Sequence, residues 1–560
     1  MAVEDRDMPT PDFTSLPESG DIVGALGTLQ RGEAGPPNSR RRKLRALLVI
    51  LGPGLIVMGG GNDAGGVQVY LQMGQDYGMR LLWCLVLLFP ILFFCQEMVV
   101  RLGAVSGVGH GRLIYARFGR LWGTFSVGDL FVINAVTIVV EFIGVEQGLS
   151  FFGMSNGWAV FASAVLLFLV MAGGTYRYWE RFLIALVIAN FVTFPMALLV
   201  HGSPGASFEG AVPSLPGGLN ATLLLVIVAV VGTTVEPWQM FFQQSSVVDK
   251  RITQRWLSYA RLDTGIGVII EVIGAVALMA AAAFGLAHTS AFGNFSDINA
   301  TAAALQHYAG HGTGDLIALA AIDGSLIGAN LTAMTTTYTL GDVRPKMRHS
   351  LHDKPRQAPW FYGLYAALIG ASAFVTLLWG NDLDVVINGV EALNGILLPS
   401  ALIFLILLAN DKPLLGPWAN STAHNWVVGV IAWIVTTFSL APLVTTFYPS
   451  LTLRQISSAF IACAAIGMAS VAALLWYRSP RRPGPEPGPA ENRRPPGMPR
   501  AEWRQVLRER RAAWVTPAID TLERPTMSMG RRIGLVALRG YIIFAIVIMV
   551  IKLVQVTTAH

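Results

Sequence analysis

The sequence predicts an all-α polytopic membrane protein, and three observations carry that expectation. Its 560 residues are 53% hydrophobic and only 13% charged, where soluble domains run at roughly 25% charged. Apolar runs of about 20 residues, the length that crosses a bilayer, recur from end to end. Two of those runs are interrupted at mid-depth by glycine, proline and carboxylates, which predicts discontinuous helices. Such a chain is neither a soluble enzyme nor a nucleic-acid binder. Its net charge of +6 is therefore a matter of topology.

Taken in order, residues 1–39 are polar and lack the apolar core of a signal peptide, which predicts a disordered cytosolic tail. Twelve spans follow, near 46–74, 80–103, 124–153, 156–174, 180–200, 219–247, 263–288, 314–341, 358–380, 384–409, 424–447 and 455–477. A weaker thirteenth, 533–555, contains Arg539 and Lys552 and is read as spanning with those cations snorkelling. Basic residues sort by loop: Arg40 to Arg42 and Lys43 precede the first span, while Arg112 and Arg117 follow the second. Lys250 and Arg251 follow the sixth, and Arg344 and Lys346 the eighth. The alternate loops carry almost none, so the positive-inside rule places the N-terminus in the cytoplasm.

This divides the chain into a tail (1–39), a transporter-like core (40–410, with repeats 46–200 and 219–410), two peripheral helices (411–477), a cytosolic linker (478–530) and a C-terminal membrane helix (531–560). Cys84, Cys95 and Cys463 lie in apolar runs without ligand spacing and read as packing.

The first span breaks at GGGNDAGG, residues 59–66. Each glycine costs about 1 kcal/mol in a helix interior, and a carboxylate at that depth marks function. The sixth breaks at GTTVEP, where Pro237 removes a backbone donor behind Glu236. The two lie five spans apart and run in opposite directions, the pointer to a 5+5 inverted repeat whose broken helices meet near the midplane. Asp63, Glu236 and carbonyls freed by the two unwound segments suit a hard divalent cation such as Mg2+, Mn2+ or Ca2+. Asn62, Gln239 and Gln243 are placed to meet the ion's hydration shell, and Trp238 to wall the cavity or pack. Asn388, Glu391 and Asn394 share one face of the tenth span. Glu141 is the remaining candidate for a vestibule or a proton path.

The motif GPG-x8-DAGG-x14-LLW, from Gly52 to Trp83, resembles the first helix of the natural-resistance-associated macrophage protein (NRAMP) metal transporters, which have DPGN at the break. QEMVVRLGAVSG at 96–107, EFIG at 141–144, GTTVEPWQ at 232–239 and ILLPSALIFLILLAND at 396–411 are similar to that family's Q-x3-ARLG-x-VTG, EVIG, GATVMPHN and LQLPFALIPLLLF. The resemblance covers most of 46–410 and implies a LeuT-type 5+5 fold with discontinuous helices 1 and 6 and two further helices. It implies a transported metal ion rather than a cofactor. The short loops and lack of a targeting peptide predict a multi-pass protein, expected as a monomer, in the plasma (inner) membrane, and without HExxH, GxSxG or paired His/Asp spacing in the spans no enzymatic activity is expected.

Departures from the family pattern refine what the resemblance implies. Asp63 keeps the ligand aspartate, Gly66 stands where the family has a ligand asparagine, Thr233 stands where a backbone carbonyl ligates, and Glu236 replaces a methionine thioether. Exchanging sulfur for carboxylate hardens the site, and losing the asparagine is expected to enlarge it. Both point to Mg2+, with Mn2+ as co-substrate, as in the NRAMP-related magnesium transporter branch. Ile138, Trp238 and Gln243 occupy the family's titratable positions, so transport is expected not to be obligatorily proton-coupled. The alternative is a proton-coupled Mn2+ or transition-metal symporter in which Glu236 and Glu141 carry the proton. An amino-acid symporter on the same fold fits less well, because an acidic pair repels a substrate carboxylate.

Overall fold

The computed structural model describes residues 20–30, 39–199, 204–218, 220–344, 349–379, 384–447 and 497–525, with a few isolated positions beyond them. Helix dominates. Among the described residues eight helical stretches are long and apolar enough to cross a membrane. A ninth is the pair Arg40–Ile50 and Pro53–Asn62, bent by 50°. One stretch, Ala64–Ser106, runs to 43 residues, long enough to cross twice at 1.5 Å per residue. It divides at Gly78, whose φ of 61° is left-handed, a conformation glycine adopts without a Cβ penalty.

The first broken span is α2 (Pro53–Gly59), a 3-10 turn at Gly60–Asn62 and α3 (Ala64–Tyr77), preceded by α1 (Arg40–Ile50). Pro53 opens α2 where its missing N–H costs nothing. The second broken span is α11 (Ala221–Thr234) and α12 (Pro237–Asp249), again with proline at the first helical position. Between them come α4 (Leu82–Ser106), α5 (His110–Phe118), α6 (Arg120–Phe151), α7 (Asn156–Ala172), α8 (Tyr176–Ala189), α9 (Thr193–Leu199) and α10 (Pro204–Gly210). Afterwards come α13 (Leu257–Gly285), α14 (Ile298–Tyr308), α15 (His311–Asp342), α16 (Pro359–Trp379), α17 (Asp384–Ala409), α18 (Lys412–Leu415) and α19 (Thr422–Phe447).

Contacts recur in pairs, as an inverted repeat requires. The first half-helix α2 packs on α8 as α11 packs on α17, and α3 packs on α13 as α12 packs on α4. The self-paired contact is α6 against α15, the most extensive in the molecule. Its two helices are stitched by Asn134, whose Nδ2 donates to Thr336 Oγ1 at 2.9 Å. A continuous apolar core runs through all of these helices.

Two expectations change. Part of the tail read as disordered folds: β1 (Ile22–Gly24) and β2 (Gly27–Leu29) form an antiparallel hairpin with Ile22 opposite Leu29. Part of the linker folds too. Residues Arg500–Ala513 are helical, and the following stretch is bonded to the core at three places, in α4, α5 and the 3-10 turn Gln254–Trp256. Gln254 Nε2 donates to Trp514 O at 2.6 Å, Thr516 Oγ1 to Val105 O at 2.9 Å, and Arg117 Nη1 to Glu523 O at 2.7 Å. Its composition looks like linker because only a few apolar side chains, Trp514, Ile519 and Leu522, reach the core, and backbone carbonyls and a hydroxyl share the docking. The twelfth and thirteenth spans, 455–477 and 533–555, lie outside the described residues apart from isolated positions.

Candidate ion site

At the first break the helix narrows to a 3-10 turn and stops at Asp63, which is extended (φ −76°, ψ −167°) and caps α3. Its Oδ1 accepts from Gly66 N at 3.0 Å. No donor reaches Oδ2; the carboxyl groups of Glu141 and Glu236 share its hydrogen-bonding space instead. At the second break Glu236 is extended and caps α12, with its own N–H donating to Gln239 Oε1 at 3.3 Å. Trp238 Nε1 donates to Glu236 Oε2, while Oε1 has no partner. Tyr70 of α3 and Thr234 of α11 join hydroxyls at 2.9 Å and tie the two breaks together.

Three further acids close on this pair. Glu141 of α6 accepts from Ala64 N at 3.2 Å and lies against Gly328 of α15, which leaves no room there for a side chain. Glu391 of α17 lies against Gly65 and accepts from Asn394 Nδ2 at 3.2 Å. Glu271 of α13 lies against Gly61, and neither of its carboxylate oxygens has a partner. All five acids are buried, and no lysine or arginine is among their electrostatic neighbours. Glycine is what allows this: Gly61, Gly65 and Gly328 let three carboxylates approach backbone that a Cβ would push away.

The other anticipated residues divide. Thr233, next to last in α11, has a buried, unpartnered hydroxyl, and Asn62 has neither amide atom satisfied, its Nδ2 facing Gly274 one turn beyond Glu271. Trp238 packs across the first break against Gly60. Gln239 spends its carbonyl on the cap and on Gln96 (3.5 Å), and Gln243 donates to Thr264 Oγ1 at 2.8 Å. Asn388 is not at the break: it donates to Gln72 Oε1 at 3.1 Å, farther along α3.

Gly66 does not enlarge the cavity either. A Cβ there would sit 2.6 Å from Gly61 O and 3.2 Å from Tyr70, so the space a longer side chain would occupy is already filled. Its N–H serves Asp63, so Gly66 shapes the site through backbone alone. Glu271 is the residue that sequence reasoning left out; it lies in an ordinary apolar run. Among the described residues no group of three or more His, Cys, Asp or Glu side chains is arranged to hold a metal alone. Carbonyls or amides at the breaks must complete any coordination shell.

This fold and site define a class: a multi-pass membrane transporter with two discontinuous helices meeting at an acidic centre. The chain belongs to the family described as natural resistance-associated macrophage protein-like, whose model matches residues 54–445. Transporters of this family carry no cofactor; the metal ion is substrate. A divalent metal cation transporter MntH of Xanthomonas campestris is 25% identical over 412 residues, covering 70% of this chain and 88% of that protein. One from Burkholderia ambifaria is 24% identical over 453 residues, covering 75% and 98%. The crystal structure of the Eremococcus coleocola manganese transporter superposes with a TM-score of 0.56 at 18% identity, covering 80% of this chain and 97% of that one. The fold is the LeuT type.

Proposed function

We propose that this chain moves divalent metal cations, Mn2+ first among them, by alternating access across a plasma membrane, as a monomer with a cytoplasmic N-terminus. The observation that carries the reading is the meeting of two unwound segments at Asp63 and Glu236, each with a carboxylate oxygen that the protein leaves without a donor. The relatives' descriptions as divalent metal cation transporters and the neighbour's as a manganese transporter put Mn2+ ahead.

Charge supports proton coupling alongside it. Burying a carboxylate without a partner is costly, and like charges in one site cannot all ionise. Five such groups need compensation; a dication supplies two charges, and protons are the other source at hand. Glu141 and Glu236 are placed to carry them. Mg2+ is the second reading, favoured by one observation, the carboxylate of Glu236 where the family has a thioether. The argument from cavity size no longer adds to it.

Mn2+ uptake by proteoliposomes loaded with a pH-sensitive dye tests both. Wild type should take up Mn2+ with lumen acidification, and Asp63→Ala and Glu236→Ala should not. Unchanged uptake by both variants would end the site assignment. Equimolar Mg2+ blocking most Mn2+ uptake would make Mg2+ the cargo, and uptake without acidification would remove the coupling.

A further inference from the structure

The second apolar cluster of the molecule lies apart from the main core, at one end of the broken helices. It joins Ile22 and Leu29 of the hairpin to Ala46, Val49 and Ile50 of α1. Val100 and Ala104 of α4, Val247 of α12 and Trp256, Leu257 and Ala260 around the start of α13 complete it. The hairpin touches α1 closely enough that Gly24 stacks on the backbone of Val49 with no space for a Cβ.

Beneath this cluster the chain concentrates its polar bonds. Asp263 accepts from Gly52 N (3.2 Å), Gly54 N (2.7 Å) and Leu55 N (3.1 Å), fixing the start of α2 to α13. Lys250, at the end of α12, donates to Ile50 O (3.1 Å), Leu51 O (2.9 Å) and Glu180 of α8 (2.5 Å). Neither side chain of that ion pair is exposed at all. The second oxygen of Glu180 accepts from Ala25 N, at the tip of the hairpin, at 2.5 Å. Helix α8 grips the hairpin twice more, through Arg181 Nε to Ala25 O (2.9 Å) and Arg177 Nη2 to Thr28 Oγ1 (2.7 Å).

We propose that this hairpin is a latch: docked between α1 and α8, it holds this end of the transporter shut, and its release accompanies opening on this side. Alternating access in this fold rocks one group of helices against another around a fixed site. Ala25 is held by Glu180 and Arg181 of α8 while Gly24, Ile22 and Leu29 pack on Val49 of α1, so the hairpin ties the helix that leads into the first half-helix to α8. Two strands of three residues are too small to be stable alone, so the hairpin owes its order to this docking and can leave without unfolding a larger element. The latch requires only that the chain is an alternating-access transporter, whatever its cargo.

The test is the distance between spin labels at positions 44 and 178, exposed sites on α1 and α8, in full-length protein in nanodiscs. Native cysteines are replaced for the labelling. Wild type without metal should give one dominant short distance. Deleting 20–30 should raise a longer-distance population by roughly tenfold or more, the scale of losing one hydrogen bond to a charged group. If the deletion does not fold, the double variant Arg177→Ala/Arg181→Ala loosens the hairpin and leaves the Glu180–Lys250 pair intact. It should produce the same shift in smaller measure. An unchanged distance distribution in the folded variants would overturn the latch, and that outcome is independent of which ion is transported.

Discussion

Two regions of this molecule bury acidic side chains, and they treat them in opposite ways. Toward the helix ends three buried carboxylates meet a cation, while a fourth, Asp263, is held by backbone N–H groups. Glu97 pairs with Arg101 (3.2 Å) and Arg261 (2.5 Å), Glu180 with Lys250 (2.5 Å) and Asp411 with Arg117 (2.5 Å). At the centre Asp63, Glu141, Glu236, Glu271 and Glu391 crowd together without one. Desolvation is costly in both places. Where the protein supplies the counter-charge, the acid holds helices together. Where it withholds it, the proposed function leaves the acid for positive charge that comes from outside.

The contrast makes substitutions of opposite sign. Asp63→Asn keeps the shape of the cap and removes an uncompensated charge. Uptake should fall by on the order of a hundredfold or more, beyond the loss typical for a group that only supports a metal ligand. Thermal stability in detergent should hold or rise, since an unpaired buried charge is gone. A variant that lost stability along with uptake would show Asp63 to be a structural acid like those at the ends.

Lys250→Met tests the other region. It leaves Glu180 buried beside an apolar chain, and breaking such a pair costs about 3–5 kcal/mol. The melting temperature should drop markedly, and Lys250→Met combined with Glu180→Gln should recover part of the loss. A single variant as stable as wild type would mean that this pair is dispensable and the contrast is one of degree.

How much of this was legible before folding follows from what each feature depends on. The breaks are readable because unwinding a helix at mid-depth needs unusual residues, and GGGNDAGG and TTVEP supply them in sequence. The convergence of Asp63 and Glu236 follows from the repeat spacing alone. Glu271 is different: it sits in an ordinary apolar run, and only the packing of α13 on the first break brings it against Gly61. Asn388 fails for the converse reason. Helical spacing puts it on one face with Glu391, but α17 crosses α3 so that only Glu391 reaches the break. The expected cavity at Gly66 is missed because a backbone carbonyl from the preceding turn fills it. The hairpin is too short to leave a strand pattern in a polar segment.

The smallest effect belongs to an exposed pair. Arg112 of α5 meets Asp520 at 3.3 Å, with side chains 26% and 56% exposed, in the segment that follows the helix Arg500–Ala513. Water screens such a pair, and its usual worth is about 0.2–1 kcal/mol. The same segment is also held by Arg117 at Glu523 O, Gln254 at Trp514 O and the stacking of Arg511 over Trp418 at 5.1 Å. Arg112→Ala should therefore leave melting and uptake within error and raise amide exchange of 514–524 only slightly. Gln254→Ala, which removes a bond to half-buried backbone, should raise it more. If Arg112→Ala alone freed the segment, a surface pair would be acting as the buried ones do, and the rule drawn from the two regions would need exposure removed from it.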